Sequence, residues 1–175
     1  MTNAASTSPK TALLVGCGQL GAELGQRLTA QGTQVYGLRR NATALPTAFV
    51  PLAVDLTQPV TQPLPKVDTM VITLTPTMPE VNGQPGYLVA LQHLAEALPK
   101  IPGRVVFVSS TRVFDGNPET QPLTEEDVPA PVSDRAQLLV EAERLAAELF
   151  DAALVRPAGI YGPGREMLIR TVRAG

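Results

Sequence analysis

Apolar positions in this chain fall into short unbroken runs, separated by longer stretches in which they recur three and four residues apart. Short runs of this kind predict buried strands, and the spaced stretches predict amphipathic helices. The first strand is expected at about Thr11–Gly16, around Ala12-Leu13-Leu14-Val15. Leu20, Leu24 and Leu28 then predict a helix from Gln19 to Gln31, with Gly32 placed to end it as a C-cap glycine does. Further strands are expected at Gln34–Leu38, Ala48–Val54 and Thr69–Leu74, the last buried on both faces. A helix follows at Tyr87–Leu98, with Leu88, Leu91, Leu94, Ala95 and Leu98 on one side. Arg104–Val108 is a fifth strand. Ser133–Phe150 is a long helix, with Ser133 as its N-cap and Leu138, Ala142, Leu145 and Leu149 facing inward. Ala152–Val155 is a sixth strand, and Met167–Ala174 opens another helix. The 17 prolines collect between these elements.

Alternating strands and helices in this order predict an α/β domain with a doubly wound parallel sheet, strand order 3-2-1-4-5-6. In such a sheet ligands sit over the carboxyl ends of the strands, where the order reverses. The 175-residue chain is long enough for one domain with a substantial core. The expected division is a disordered polar arm at 1–10 and a nucleotide-binding Rossmann domain at 11–175.

Composition narrows the setting. Charged residues make up 17% and the net charge is −2, which argues against a nucleic-acid-binding surface. No apolar run approaches membrane-spanning length, and the polar N-terminus lacks a secretory h-region. A single cysteine excludes an internal disulfide and a cysteine-based metal cluster. Glu125, Glu126 and Asp127 read as a solvated acidic loop, so no metal is expected. The expected location is the cytoplasm.

Gly16-Cys17-Gly18-Gln19-Leu20-Gly21 is a G-x-G-x-x-G between the first strand and its helix. Gly16 allows a tight turn, Gly18 allows close approach of a pyrophosphate, and Gly21 allows close helix packing. The N–H groups opening the helix at Gln19 and Leu20 face the anion. No acid stands at the end of the second strand, where an NAD site places one; Arg39 and Arg40 stand there instead. Two guanidiniums suit a 2′-phosphate and favour NADP over NAD, the other reading being two solvated surface arginines. Asp55, followed by Leu56, is placed to accept from an adenine amino group, or else is a strand-end turn residue. Leu74 and Thr75 close the fourth strand where backbone would line the cofactor.

Val106-Phe107-Val108-Ser109-Ser110-Thr111-Arg112-Val113-Phe114-Asp115-Gly116 resembles the fifth-strand signature of the NAD-dependent epimerase/dehydratase family, the extended short-chain dehydrogenases/reductases. Pro122–Pro129 is similar to the family's acidic loop, and Arg156–Gly164 resembles its R-P-x-x-I-Y-G-P-G motif. The resemblance implies hydride transfer between a nicotinamide and a substrate carbon. It gives Ser110 the role of bonding the substrate oxygen, and places Pro157 and Ile160 near the nicotinamide. The family's Tyr-x-x-x-Lys does not match. Aligned through Glu143, Arg135 takes the tyrosine position and Leu139 the lysine position. The chain has lysine only at Lys10, Lys66 and Lys100, so no shift restores the dyad. The chain therefore looks like an atypical branch.

Tyr161 is a candidate acid or base, the bland reading being a packed loop aromatic. Arg112 and Arg135 are candidate anion binders, with surface roles as the alternative. His93, within an apolar helix, is expected far from every strand carboxyl end, and Cys17 is expected to serve packing. The family continues past the last motif into a substrate domain, which is expected to be largely missing here. Two functions remain open: an epimerase/dehydratase-like oxidoreductase acting on a nucleotide-sugar or similar hydroxy or keto substrate, and a non-catalytic NAD(P)-binding sensor or scaffold. The resemblance adds a homodimer through the Ser133–Phe150 helix.

Overall fold

The computed structural model describes residues 11–118, 122–162 and 167–174. The arm at 1–10 and the motif residues Pro163 and Gly164 lie outside the described residues. Six strands form one parallel sheet: β1 (Thr11–Val15), β2 (Gln34–Arg39), β3 (Val50–Ala53), β4 (Thr69–Ile72), β5 (Arg104–Val108) and β6 (Ala153–Val155). Their order is β3-β2-β1-β4-β5-β6, as the alternation of elements predicts. The helices are α1 (Gln19–Ala30), α2 (Gly86–Ala97), α3 (Asp134–Phe150) and α4 (Met167–Ala174). Among the described residues no helix is long and apolar enough to cross a membrane.

The pleat of β1 divides the core. Leu13 and Val15 join Met70, Ile72 and Phe107 beneath α2 and α3. Leu14 points to the opposite face and joins Val35, Phe49 and Val71, against which Leu24 and Leu28 of α1 pack. Alternate side chains of a strand leave on opposite faces, so a strand covered on both sides must be apolar throughout.

On two helices the deepest positions are small residues, with predicted leucines packed beside them. On α1 the buried positions are Gly21 and Gly25, while Leu20, Leu24 and Leu28 are half-buried flanks. A side chain at Gly25 would run into the Phe49 ring and Leu14, so the missing Cβ sets how closely the helix approaches the sheet. On α3 the buried face is Ala136, Leu139, Ala142, Glu143, Ala146 and Phe150, with Leu138, Leu145 and Leu149 half-buried beside it. Alanines let α3 sit close to its neighbours, and the leucines cover the edges of the contact. Ser133 caps α3 as expected, its Oγ accepting from the Ala136 N–H at 3.2 Å.

Strand ends also shift. The Phe49 N–H donates to the Pro46 carbonyl at 3.0 Å, a turn that delays β3 to Val50. β4 ends at Ile72; the Thr73 N–H still donates to the Val15 carbonyl at 2.8 Å, and the Thr73 hydroxyl and Leu74 then lie against the glycine turn.

Candidate functional site

The glycine turn stands at the carboxyl end of β1, at the point where the strand order reverses. Its geometry is fixed by three carbonyls. The N–H groups of Gly16 and Cys17 both donate to the Leu38 carbonyl, at 2.9 and 3.0 Å, and Gly18 N–H donates to the Gly16 carbonyl at 2.6 Å. Thr73 Oγ1 bridges the carbonyls of Val15 and Gly16, at 3.1 and 3.0 Å. Gly16 has φ +71°, and a Cβ there would lie 2.9 Å from Leu74 backbone and side chain, so only glycine suits the position. Gly18 differs. A Cβ on it would meet nothing closer than the Gly16 carbonyl at 3.7 Å, so packing within the protein does not call for glycine there. Gly18 also caps α1 with no side-chain hydrogen bond, and it lines two cavities. A bare backbone at an uncapped helix start beside a cavity fits a diphosphate, which needs that close approach and those N–H donors. Gly21 would bring a Cβ to 3.3 Å from Cys17 Sγ, which is the close helix seating expected of the third glycine.

One cavity, about 630 Å³, runs from the glycine turn toward β2 and β3. Arg39, Arg40, Asp55, Leu56, Leu74 and Thr75 all line it. Arg39 reaches back over the turn, with Nη1 3.5 Å from the Cys17 carbonyl. Asp55 Oδ1 accepts from Thr57 N–H at 3.0 Å and Thr57 Oγ1 at 2.7 Å. The Thr57 hydroxyl holds this carboxyl below the usual range; burial opposes the effect, and the Thr57 N–H and Arg40 add to it. Asp55 is thus a turn residue that also faces the cavity. Sequence reasoning missed Asn41, Thr73 and Met78 on the same walls. Thr73 had a visible signal, a polar residue directly after the apolar run of β4.

A second cavity of about 280 Å³ continues from the first, sharing Gly16, Gly18, Thr73, Leu74 and Thr75 with it. Gln19, Leu20 and Ile160 line it, together with Ser110. Ser110 caps a one-turn 3-10 helix, Thr111–Phe114, and its Oγ accepts from the Arg112 N–H at 3.2 Å. That bond leaves the hydroxyl proton free to be donated elsewhere. Arg135 and Leu139, the residues that the resemblance sets at the tyrosine and lysine positions, line the same cavity with a cation and an alkyl chain. A third cavity, about 640 Å³, opens outward from Ser110 and Arg112 toward Leu123, Thr124 and Gly159.

The remaining candidates are not brought in. Tyr161 is 77% exposed and lines none of these three cavities. Pro157 is half-buried, and its carbonyl accepts from the Thr111 N–H at 3.1 Å, supporting the loop that carries Ser110. His93 lies nearer a strand end than the sequence suggests. Its Nδ1 is 2.9 Å from the Leu56 carbonyl just past β3, a structural tie. Cys17 is buried, and burial pushes its thiol up despite the nearby Arg39, so it is no activated nucleophile.

A buried ion pair supports the site from behind. Arg156 donates to both carboxylate oxygens of Glu143, with Nη2–Oε2 at 2.8 Å and Nε–Oε1 at 3.0 Å. The Arg156 guanidinium also stacks over Phe114 at 5.1 Å. Hydrogen bonding to Glu143 raises the Arg156 pKa, against the opposing effect of burial. The pair ties the end of β6 to α3.

Comparison with known proteins places this geometry. Residues 87–174 match the sequence model of the RmlD substrate binding domain. Protein YeeZ of Escherichia coli (strain K12) is 31% identical over 172 residues, covering 89% of this chain and 61% of YeeZ. The dTDP-4-dehydrorhamnose reductase of Mycobacterium tuberculosis is 37% identical over 93 residues, covering 48% of this chain and 30% of the reductase. A solved structure from Methylobacillus flagellatus, provisionally classed as an NAD-dependent epimerase/dehydratase, is 32% identical with a TM-score of 0.71, covering 93% of this chain and 59% of the other. MoeE5 in complex with UDP-glucose and NAD is 25% identical with a TM-score of 0.65, covering 94% and 60%. The chain thus spans about three fifths of the length of these structures and of YeeZ.

Proposed function

Given that this chain belongs to the RmlD substrate binding domain family, within the NAD-dependent epimerase/dehydratase group, we propose that it is an NADP-preferring oxidoreductase acting on a nucleotide-sugar or related hydroxy or keto compound. The observation that carries this reading is the continuous trough from Arg39 and Arg40, across the glycine turn, to Ser110. It joins a bare-backbone anion site to a hydroxyl donor at the carboxyl end of β5.

In this reading Gly16, Gly18, Gln19, Leu20 and Gly21 hold the diphosphate, Arg39 and Arg40 grip a 2′-phosphate, and Asp55 and Leu56 bound the adenine. Leu74, Thr75 and Ile160 flank the nicotinamide end, and Pro157 supports the loop that carries Ser110. The bound nicotinamide supplies or accepts the hydride. Ser110 donates its free hydroxyl proton to the substrate oxygen while its Oγ stays fixed by the Arg112 N–H. Tyr161 would serve in proton transfer only if its loop turned the exposed phenol inward. A cytoplasmic setting and pairing of two copies through α3 belong to the same proposal.

A second reading, a dinucleotide-binding module without turnover, draws on one observation. Arg135 and Leu139 occupy the cavity positions of the dyad and supply no phenol and no ammonium. NADPH oxidation across a panel of carbonyl and sugar-nucleotide substrates separates the two, read against Ser110→Ala. The oxidoreductase reading expects turnover that falls about a hundredfold in that variant. Turnover indifferent to Ser110→Ala would remove Ser110 from the mechanism, and none with any substrate would favour the binding module.

A further inference from the structure

The inner cavity has two sides. Glycine-turn residues and Thr75–Pro76 form one, and Tyr87 of α2, Ser109, Ser110 and Arg112 after β5, and Arg135 of α3 form the other. On the second side two hydroxyls are buried without a hydrogen-bond partner: Tyr87, 1% exposed, and Ser109, 9% exposed. A buried hydroxyl left unpaired costs free energy that a bound polar group can offset.

Charge decides what kind. Among the described residues no carboxylate lines this cavity, whereas Arg112 and Arg135 do. The ion pairs among the described residues engage Arg27, Arg144 and Arg156, and neither Arg112 nor Arg135. Asp115 lies close enough for Arg112 to influence it, but its oxygens already accept from Val132 and Ser133. Burial raises the Tyr87 pKa, with Glu143 adding to the effect, so the phenol stays protonated and acts as a donor. Glu143 itself is paired with Arg156, so the described lining presents donors and cations, which form a receptor for an oxyanion.

We propose that this side of the cavity binds an oxyanion group of the substrate, a carboxylate or phosphate, with Arg112 and Arg135 as counter-ions and Tyr87 and Ser109 as donors. The inference rests on the substrate entering beside Ser110, and it specifies a carbonyl or hydroxy compound whose acidic group lies close to the reacting carbon. It also accounts for Arg135: the position has passed from proton transfer to anion binding.

Calorimetric titration of the full chain with oxalate and, separately, with inorganic phosphate tests this, each with and without NADP and against sodium chloride at matched ionic strength. One of the two anions should bind saturably. Arg135→Gln should weaken it about tenfold and Tyr87→Phe about fivefold. NADPH affinity should stay within about twofold in both variants. Preference for oxalate would identify a carboxylate, and preference for phosphate a phosphoryl group. The proposal is overturned if neither anion binds, if both variants bind as the parent does, or if Arg135→Gln loses NADPH affinity in parallel, which would assign the arginine to the cofactor diphosphate. Failure of NADPH to bind would count against the dinucleotide reading alone, since the cofactor-free anion titration still decides this one.

Discussion

β1 and β6 belong to one sheet, yet Ala12–Val15 of β1 are entirely buried while Leu154 and Val155 of β6 are 37% and 46% exposed. Their surroundings differ in kind. Around β1, side-chain packing sets position, through the close seating of α1 at Gly21 and Gly25 and apolar contact on both faces, and the polar bonds at its glycine turn are to main-chain carbonyls. Around β5 and β6 it is set by directional polar bonds. Arg156 holds Glu143, Asp115 holds the Val132 and Ser133 N–H groups, and Asn117 bonds the backbone of Val128 and Ala130. The lesson is a division of labour. Under the proposed function, the rigid, close-packed wall would hold the constant nucleotide, and the loops tied by a few replaceable hydrogen bonds would face the variable substrate.

The comparison breaks most visibly at the ion pair. Arg156→Met leaves the Glu143 carboxylate buried without its cation and should cost about 3 kcal/mol of stability, measured by denaturant unfolding. NADPH affinity should change by no more than about twofold, because the glycine turn does not depend on this pair. An unchanged unfolding midpoint would show that the β6 side is not held as described. Gly16→Ala has the opposite signature. Forcing a Cβ into φ +71° against Leu74 should cost about 2 kcal/mol and also weaken NADPH binding, leaving the β5–β6 side intact.

The smallest effect is a pH dependence. Asp115 is held below the usual carboxylate range by the Ser133 hydroxyl first and the Val132 N–H second. A depressed carboxyl stabilises the fold fully above its unfolded pKa, about 4, and the contribution is lost as pH falls through the lower folded value. Thermal unfolding should therefore be level from neutral pH to about 5 and decline below about 4. Asp115→Asn should start lower at neutral pH and decline less steeply in acid. Identical acid limbs in the two proteins would contradict the assignment.

The sheet order was legible because the apolar runs and helical stretches are local patterns, and few topologies accommodate them. The glycine turn was legible for the same reason, since its three glycines lie within one turn and serve recognisably different purposes. What escaped was pairwise and distant. Tyr87 reads as one more apolar position on a helix, and nothing nearby shows that it lines the same cavity as Ser109. Arg156 and Glu143 meet only because β6 is laid beside β5 under α3. The inward leucines of α3 were legible and pack against the core, but the deeper Ala136 and Ala146 beside them were not, because leucine outranks alanine in hydrophobicity. Tyr161 followed a recognisable motif, yet its exposed side chain lies outside the cavities.

The central proposal is that main-chain amides at the start of α1, just after the glycine turn, bind a dinucleotide diphosphate. Isothermal titration of the folded chain with NADPH and with NADH tests it most directly. The account predicts saturable one-to-one binding, about tenfold tighter for NADPH, with the difference removed by Arg39→Ala together with Arg40→Ala. Equal affinities in the parent would end the NADP assignment, and no binding of either coenzyme would contradict the account itself.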